Sequence, residues 1–155
     1  MVLLQERIMF DEKKPREEVP VAKKAFDRDL ILVVDDDRDI VAAIVESLEK
    51  DLPSARFLTT GNGNDAVSIF EKNVPKPGII ILDMMLPGRS GFLVMKKIKR
   101  GKRATDVPHI IMITGNQQKR HKMYAESMGT FGYLNKPFRM QRLLEVVQDA
   151  RSRIS

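Results

Sequence analysis

The chain contains no cysteine among its 155 residues and only two histidines, His109 and His121. Without thiols it can form no disulfide, no cysteine nucleophile, no cysteine-bound zinc site and no iron–sulfur cluster. Two histidines are too few for a histidine-rich metal centre or for the paired helical histidines of a zinc protease. A metal site in this chain would therefore use hard oxygen ligands.

Long apolar runs are also missing. No segment approaches the roughly 18 residues that a membrane-spanning helix needs. The first residues, MVLLQERIMF, are too few and too charged for a secretory signal. Hydrophobic residues make up 43% and charged residues 31% of the chain, which is typical of a soluble globular protein. We therefore expect one cytoplasmic domain of ordinary size.

The net charge of +6 is unevenly spread along the chain. Much of the excess lies in KKIKRGKR, residues 96–103, where six of the eight residues are basic. Such a run is usually the solvated end of a helix, and the main alternative is a docking patch for an acidic protein or nucleic acid. Because no aromatic residue interrupts the run, base stacking has no support and we do not expect a nucleic-acid partner.

Residues 1–28 are predicted to be an N-terminal extension, and residues 29–155 the main domain. Pro15 and Pro20 interrupt any long helix in the extension. The apolar residues before Pro15 favour one short amphipathic helix, which either packs on the domain or stays mobile. The sequence assigns this segment no function.

From residue 29 onward, apolar runs typical of strands alternate with segments of helical periodicity. The predicted strands are residues 30–34, 55–60, 79–82, 109–114 and 131–134. The predicted helices are residues 38–50, 64–73, 91–99, 117–128 and 139–151. Runs such as LILVV and IIIL are apolar throughout, as in strands buried on both faces of a parallel sheet. The pattern predicts an α/β fold, a doubly wound five-stranded parallel sheet with helices on both faces.

Polar side chains follow four of the five predicted strands. Asp35 and Asp36 follow the first strand, Asp83 the third, Thr114 ends the fourth, and Lys136 follows the fifth. Ligands of open parallel sheets bind outside the carboxyl ends of strands where the strand order reverses. With the strand order 2-1-3-4-5, the first and third strands are neighbours at that point. We therefore expect the three carboxylates to share one pocket, flanked by the threonine and the lysine.

The predicted pocket has the groups needed for phosphoryl transfer to an aspartate. Clustered carboxylates raise one another's pKa, and a divalent cation relieves that conflict. An all-oxygen ligand set favours Mg²⁺. A lysine and a threonine can hold phosphoryl oxygens, and a carboxylate can itself act as the nucleophile. Each residue alone has a more ordinary explanation: Asp37 or Asp39, for instance, is expected to cap the next helix.

Four segments of the sequence resemble, in order and spacing, the motifs of the response-regulator receiver domain, the family of the chemotaxis response regulator. They are VVDDD, ILDMMLPGRSG, IMITGN and FGYLNKPF. The resemblance covers about residues 29–153 and implies the flavodoxin-like fold. It implies that Asp83 is the phosphoacceptor of a two-component system. It also implies that Asp36 binds Mg²⁺ directly, Asp35 mainly through water, and Met85 through its backbone carbonyl.

The same resemblance implies how a phosphoryl group is held and sensed. Thr114 and Lys136 would contact it, helped by the backbone N–H groups of Met84 and Gly115, and the peptide bond before Pro137 would be cis. Thr114 would then move, and Tyr133 would turn inward as the switch aromatic. The implied donor is a histidine kinase or phosphotransfer protein. The implied output is binding of an effector protein by helix 4, strand 5 and helix 5, with no enzymatic activity beyond the domain's own phosphorylation and dephosphorylation.

Two other interpretations stay open at this point. GNGNDA, residues 61–66, fits the short pattern of a dinucleotide-binding turn, with Asp83 placed twenty residues after Gly63. This interpretation leaves Asp35, Asp36 and Lys136 unexplained. A phosphatase that uses an aspartyl-phosphate intermediate typically has an acid two residues after its nucleophile, where this chain has Met85.

Overall fold

The computed structural model describes residues 25–154. Most of the predicted extension, residues 1–28, and its short helix therefore lie outside the described residues. The five strands are β1 (Phe26–Val34), β2 (Arg56–Thr60), β3 (Lys76–Asp83), β4 (His109–Thr114) and β5 (Gly132–Asn135). The five helices are α1 (Arg38–Asp51), α2 (Gly63–Lys72), α3 (Gly91–Lys99), α4 (Lys119–Ser127) and α5 (Met140–Ser152). A one-turn 3₁₀ helix, Ala104–Asp106, lies between α3 and β4.

The five strands form one parallel sheet in the order β2-β1-β3-β4-β5. This confirms the predicted fold and the strand order on which the predicted site depends. The register aligns the carboxyl ends of the strands: Val34 pairs with Leu82, which in turn pairs with Met112. The loops that follow β1, β3 and β4 therefore leave the sheet at one edge.

Side chains of the central strands alternate between two apolar cores, one on each face of the sheet. Ile31, Val33, Ile79 and Ile81 pack with α1 and α5 on one face. The residues between them point to the other face and pack with α2 and α3; they are Leu32, Val34, Ile80 and Leu82. Because both faces are covered, β1 is apolar throughout residues 30–34 and β3 throughout residues 79–82, as the sequence indicated.

Polar side chains set the helix ends. The carboxylate of Asp37 accepts hydrogen bonds from the N–H groups of Asp39 and Ile40, which confirms an N-cap at this place for α1. Asn62 caps α2 in the same way. After α4, Gly129 has a φ of +81°, the left-handed conformation that ends many helices.

Two strands begin earlier than their apolar patterns indicate. β1 begins at Phe26 and β3 at Lys76, and Phe26 pairs with Lys76. The added residues are mostly charged, proline or glycine, so they carry no strand periodicity. Asp29 is paired with Arg151 of α5, which shows how a charge is accommodated at the start of a buried strand. The boundary at residue 29 stays a prediction.

Candidate functional site

The predicted site residues meet at the carboxyl ends of the strands. Asp35 follows β1, Asp83 is the last residue of β3, Thr114 ends β4, and Lys136 follows β5. Carboxylate oxygens of Asp35, Asp36 and Asp83 lie within 4.8 Å of one another. The sheet therefore brings together groups that are up to 101 positions apart in the chain.

Two of the three carboxylates are buried, and one lysine neutralises them in part. Asp35 is 2% exposed and Asp83 is 3% exposed, whereas Asp36 is open to solvent. The Lys136 Nζ lies 2.7 Å from Asp35 Oδ2 and 3.3 Å from Asp83 Oδ2. A single ammonium group thus bridges the two buried carboxylates, and the peptide bond between Lys136 and Pro137 is cis, as the resemblance implied.

Backbone N–H groups orient the two buried carboxylates. The N–H of Asp37 donates to Asp35 Oδ1 at 2.9 Å, and the N–H of Met85 donates to Asp83 Oδ1 at 3.2 Å. Each bond spans two residues of a tight loop, so the loop conformation fixes the carboxylate. Each carboxylate therefore keeps its Oδ2 for Lys136.

The pKa values of Asp83 and Lys136 show that the negative charges of the two buried carboxylates repel each other and are only partly neutralised by the lysine. Burial, and after it the charge of the neighbouring Asp35, raise the pKa of Asp83 to about 6, although the hydrogen bond from Met85 and the charge of Lys136 act to lower it. Burial opposes the charge on Lys136, but its hydrogen bond to Asp35 and the charge of Asp83 outweigh burial and raise the lysine pKa. The site as a whole therefore has more negative charge than its lysine balances.

The side chain of Thr114 and the backbone N–H of Met84 are hydrogen-bonded within the protein, whereas Gly115 borders open space. Thr114 is fully buried, and its Oγ1 accepts a hydrogen bond from the N–H of Asn116 at 3.0 Å. The N–H of Met84 donates to the carbonyl of Ile113 at 3.0 Å, so it belongs to the β3–β4 contact. Apart from Gly115 itself and its two chain neighbours, no atom of residues 25–154 lies within 4 Å of the position that a Cβ at Gly115 would take. The pocket is therefore open at Gly115. The N–H group that bonds to the Asp83 carboxylate is that of Met85 and not that of Met84.

Gly91 is a site residue that the sequence analysis missed. A Cβ at this position would lie 2.3 Å from the carbonyl oxygen of Asp83, so no other residue fits without moving the backbone. The N–H of Gly91 donates to the carbonyl of Met84 at 2.9 Å. The first residue of α3 thus closes the loop after Asp83. Its place in the segment PGRSG was the only indication in the sequence.

The ring of Tyr133 packs against the apolar core that lies between the sheet and helices α2 and α3. Its hydroxyl is buried and has no hydrogen-bond partner among the described residues. Burial raises the pKa of this hydroxyl. The ring therefore already points inward, and a hydroxyl exposed to solvent, the ordinary expectation for a strand tyrosine, is not observed.

Backbone N–H groups of the GNGNDA segment are hydrogen-bonded within the protein. The N–H of Gly63 donates to the carbonyl of Pro87 at 3.1 Å, and the side chain of Asn62 accepts from the N–H groups of Asn64 and Asp65. A Cβ at Gly63 would lie 1.9 Å from the carbonyl oxygen of Arg89, so the loop before α3 covers this turn. The N–H groups that would hold a pyrophosphate are therefore taken, and the dinucleotide interpretation is not favoured.

A sequence model of the response regulator receiver domain matches residues 31–148, most of the described chain. The chain belongs to this family. Among curated relatives, it is 30% identical over 124 residues to the response regulator SaeR of Staphylococcus aureus. That match covers 80% of this chain and 51% of SaeR, so the chain spans about half the length of the curated relatives it matches.

Solved receiver domains have the same fold as this receiver domain. A receiver domain protein from Clostridium thermocellum is 31% identical, with a TM-score of 0.70 over 80% of this chain and 94% of that chain. The BeF3-activated DrrB receiver domain is 27% identical, with a TM-score of 0.69 over 80% and 97% of the two chains. The chemotaxis response regulator CheY4 of Vibrio cholerae is 25% identical, with a TM-score of 0.68 over 78% and 97%. The chain is thus a receiver domain of two-component signal transduction.

No helix within residues 25–154 of this receiver domain combines the length and the apolar character needed to cross a membrane.

Proposed function

We propose that this receiver domain accepts a phosphoryl group on Asp83 in a Mg²⁺-dependent reaction. The donor is a histidine kinase or a phosphotransfer protein. The observation that carries the proposal is the bridge of Lys136 between the buried carboxylates of Asp35 and Asp83, beside the exposed carboxylate of Asp36. Folding alone does not favour three clustered carboxylates with one ammonium group, whereas phosphoryl transfer uses all four.

The residues present fit a magnesium ion. Three carboxylates and one lysine leave two negative charges unbalanced, and every donor is a hard oxygen. Asp35, Asp36 and Asp83 would hold the ion, with the backbone carbonyl of Met85 as a further ligand. When bound, Mg²⁺ supplies the positive charge that lets an anionic phosphoryl group approach a carboxylate.

The chain's own residues carry the transfer step. A carboxylate oxygen of Asp83 attacks phosphorus, and the bond from phosphorus to the donor's imidazole nitrogen breaks with its electron pair left on the imidazole. Lys136, held in place by Asp35, moves its Nζ from the Asp83 oxygen to a phosphoryl oxygen. The hydroxyl of Thr114 donates a hydrogen bond to a second phosphoryl oxygen, and the open position at Gly115 leaves room for a bulky donor.

Phosphorylation would then change the surface formed by α4, β5 and α5. A phosphoryl group adds nearly two negative charges and three acceptor oxygens. Thr114 is drawn toward them, and the inward Tyr133 is stabilised beside it. This step would use the hydroxyl of Tyr133, which is buried and has no hydrogen-bond partner within residues 25–154. The altered surface binds a downstream effector protein.

The proposal includes no turnover of external substrates. Met85 is apolar and exposed, so it provides no carboxylate that could activate a leaving group or an attacking water. The domain would catalyse only its own phosphorylation and dephosphorylation. We place it in the cytoplasm, where histidine kinases present their phosphorylated domains.

Intact mass spectrometry after incubation with acetyl phosphate and Mg²⁺ tests the proposal. We expect the chain to gain one phosphoryl group that is lost in alkali, as acyl phosphates are. Asp83→Asn should abolish the gain, because the nucleophilic oxygen is replaced by an amide. Asp37→Asn is the matched control and should keep the gain, since asparagine caps a helix as well as aspartate does.

Either of two results would contradict the proposal. A mass gain that persists in Asp83→Asn means that another residue is the acceptor. A gain that is unchanged when EDTA removes divalent cations means that the acidic cluster does not act through a metal.

A further inference from the structure

One face of α3 presents a row of cations around an exposed leucine. Leu93, Lys96, Lys97 and Arg100 follow one another at helical spacing, so their side chains share one stripe of the surface. Together with Arg89 from the preceding loop they line a shallow groove. The stripe from Leu93 to Arg100 is about 10 Å long at the rise of an α-helix.

The groove has no acidic residue to balance these charges. Its lining consists of four cations and one leucine, and α3 itself contains no aspartate or glutamate. Within residues 25–154, none of the four cations forms an ion pair with a carboxylate. Like charges three and four residues apart on a helix repel one another, and α3 has no acidic residue that offsets this repulsion.

The structure divides the basic run of the sequence into two groups. Lys99 donates to the carbonyls of Met128 and Gly129, both at 2.7 Å, and Lys102 lies 5.0 Å above the ring of Phe70. These two cations serve the fold. The other four, Lys96, Lys97, Arg100 and Arg103, are exposed and form no such contact within residues 25–154.

Leu93 gives the groove an apolar centre. Its side chain is 54% exposed, one of few large hydrophobic residues that stay open to solvent in the described chain. A leucine among cations suits a protein partner, because it can bury an apolar side chain while the cations pair with flanking carboxylates. An exposed leucine contributes nothing to binding the phosphate backbone of a nucleic acid, and no aromatic side chain lines the groove for base stacking.

We propose that the α3 groove, formed by Arg89, Leu93, Lys96, Lys97 and Arg100, binds an acidic segment of a partner protein that carries an apolar side chain between carboxylates. The charges of the groove and its exposed leucine are complementary to such a segment. The proposal does not depend on the role of Asp83, and it concerns a surface other than α4, β5 and α5.

Fluorescence anisotropy with two labelled helical peptides of about 12 residues tests this proposal on the full chain. One peptide presents glutamates around a central leucine, and the second has serine in place of that leucine. We expect the leucine peptide to bind more tightly. Lys96→Glu/Lys97→Glu should weaken it about tenfold or more, because two exposed ion pairs are each replaced by a repulsion.

Two controls separate this groove from general charge. Lys50→Glu/Lys72→Glu makes the same change in net charge on α1 and α2, and should change the affinity by less than about twofold. Leu93→Ser should weaken the leucine peptide and leave the serine peptide unchanged, since only the first loses an apolar contact. Circular dichroism of each variant checks that these exposed substitutions leave the fold intact.

Three results would overturn the proposal. Equal loss of binding in the two double variants means that the peptide responds only to net charge. If Leu93→Ser weakens the binding of both peptides equally, or of neither, then Leu93 is not an apolar anchor for the partner. Binding of a labelled DNA duplex that is as tight as that of the leucine peptide, and unaffected by Leu93→Ser, means that the groove is a phosphate-binding surface.

Discussion

Asp83 is held in an environment that opposes its own charge. It is almost fully buried, Asp35 lies beside it, and only Lys136 and the N–H of Met85 favour its ionised form. The result is a pKa of about 6 in place of 3.8. Strongly perturbed pKa values cluster at functional sites, so the environment of Asp83 agrees with the role proposed for it above.

Asp83→Asn should therefore stabilise the metal-free protein. The folded-state pKa lies above the unfolded value, so the folded state binds this proton more tightly. The stabilisation from that proton is complete below about pH 3.8 and is lost as the pH rises to about 6. At pH 7 we expect the variant to exceed the wild type in unfolding free energy by about 1 to 3 kcal/mol.

Urea denaturation in metal-free buffer between about pH 4 and pH 7 measures this difference, which should shrink toward the acid end. Asp106→Asn is the control, because that carboxylate is exposed and its removal should change stability by less than about 0.5 kcal/mol. A wild type that is more stable than Asp83→Asn at pH 7 would show that the carboxylate supports the fold.

At the scale of elements, α3 holds the end of α4. The Lys99 Nζ donates to the carbonyls of Met128 and Gly129, two acceptors at the carboxyl end of α4 where the helix dipole is negative. Burial lowers the pKa of this lysine, yet both hydrogen bonds are short. Since α4 has no side-chain N-cap, this contact is an important restraint on its position.

Lys99→Met should loosen the end of α4. The variant loses two charge-assisted hydrogen bonds and leaves two carbonyls without this donor, so we expect a loss of about 1 to 3 kcal/mol in unfolding free energy. Hydrogen exchange should be faster at Met128 and Thr130, whose N–H groups bond to carbonyls within α4.

Lys97→Met is the matched control on the same helix, because Lys97 is exposed and should cost little. Equal losses in the two variants would mean that charge on α3, and not the contact with α4, stabilises the domain. Unchanged exchange at Met128 and Thr130 would likewise contradict the restraint.

At the scale of the whole molecule, the acidic cluster exists only in the folded chain. Asp35 and Asp36 leave β1, Asp83 leaves β3, and the parallel pairing of these strands brings their oxygens within 4.8 Å. An ion that needs all three therefore binds the folded state and not the unfolded one. Binding of this kind stabilises a protein by mass action.

Mg²⁺ should raise the unfolding free energy of the wild type, by about 2.7 kcal/mol at a concentration one hundred times the Kd. Asp36→Asn should reduce this gain strongly while changing the metal-free stability by less than about 0.5 kcal/mol, because Asp36 is exposed. Thermal unfolding with and without Mg²⁺ measures both quantities.

The neighbouring Asp37→Asn makes the same change in charge and should keep the full response to Mg²⁺. An equal loss in the two variants would mean that the ion responds to local charge only. A response that survives in Asp36→Asn would mean that Asp36 is not a ligand.

The amino-acid sequence by itself determined the strands, the helices and the acidic and basic positions of the site. These follow from patterns within a few residues of the chain: apolar runs for buried strands, helical periodicity, and Asp37 as a cap. The same patterns determined that the sheet is parallel and that Asp35, Asp83 and Lys136 follow strands. The starts of β1 and β3 escaped prediction because their charged, proline and glycine residues carry no periodicity.

The tertiary structure alone decided which groups touch. It assigned Lys136 to both buried carboxylates, Lys99 to the end of α4, and the N–H of Met85 to Asp83. It also showed that a second backbone segment passes close to Gly63 and to Gly91, which no local pattern in the sequence indicates. Contacts of this kind join residues that are distant in the chain, so their geometry depends on strand register and on the packing of helices against the sheet.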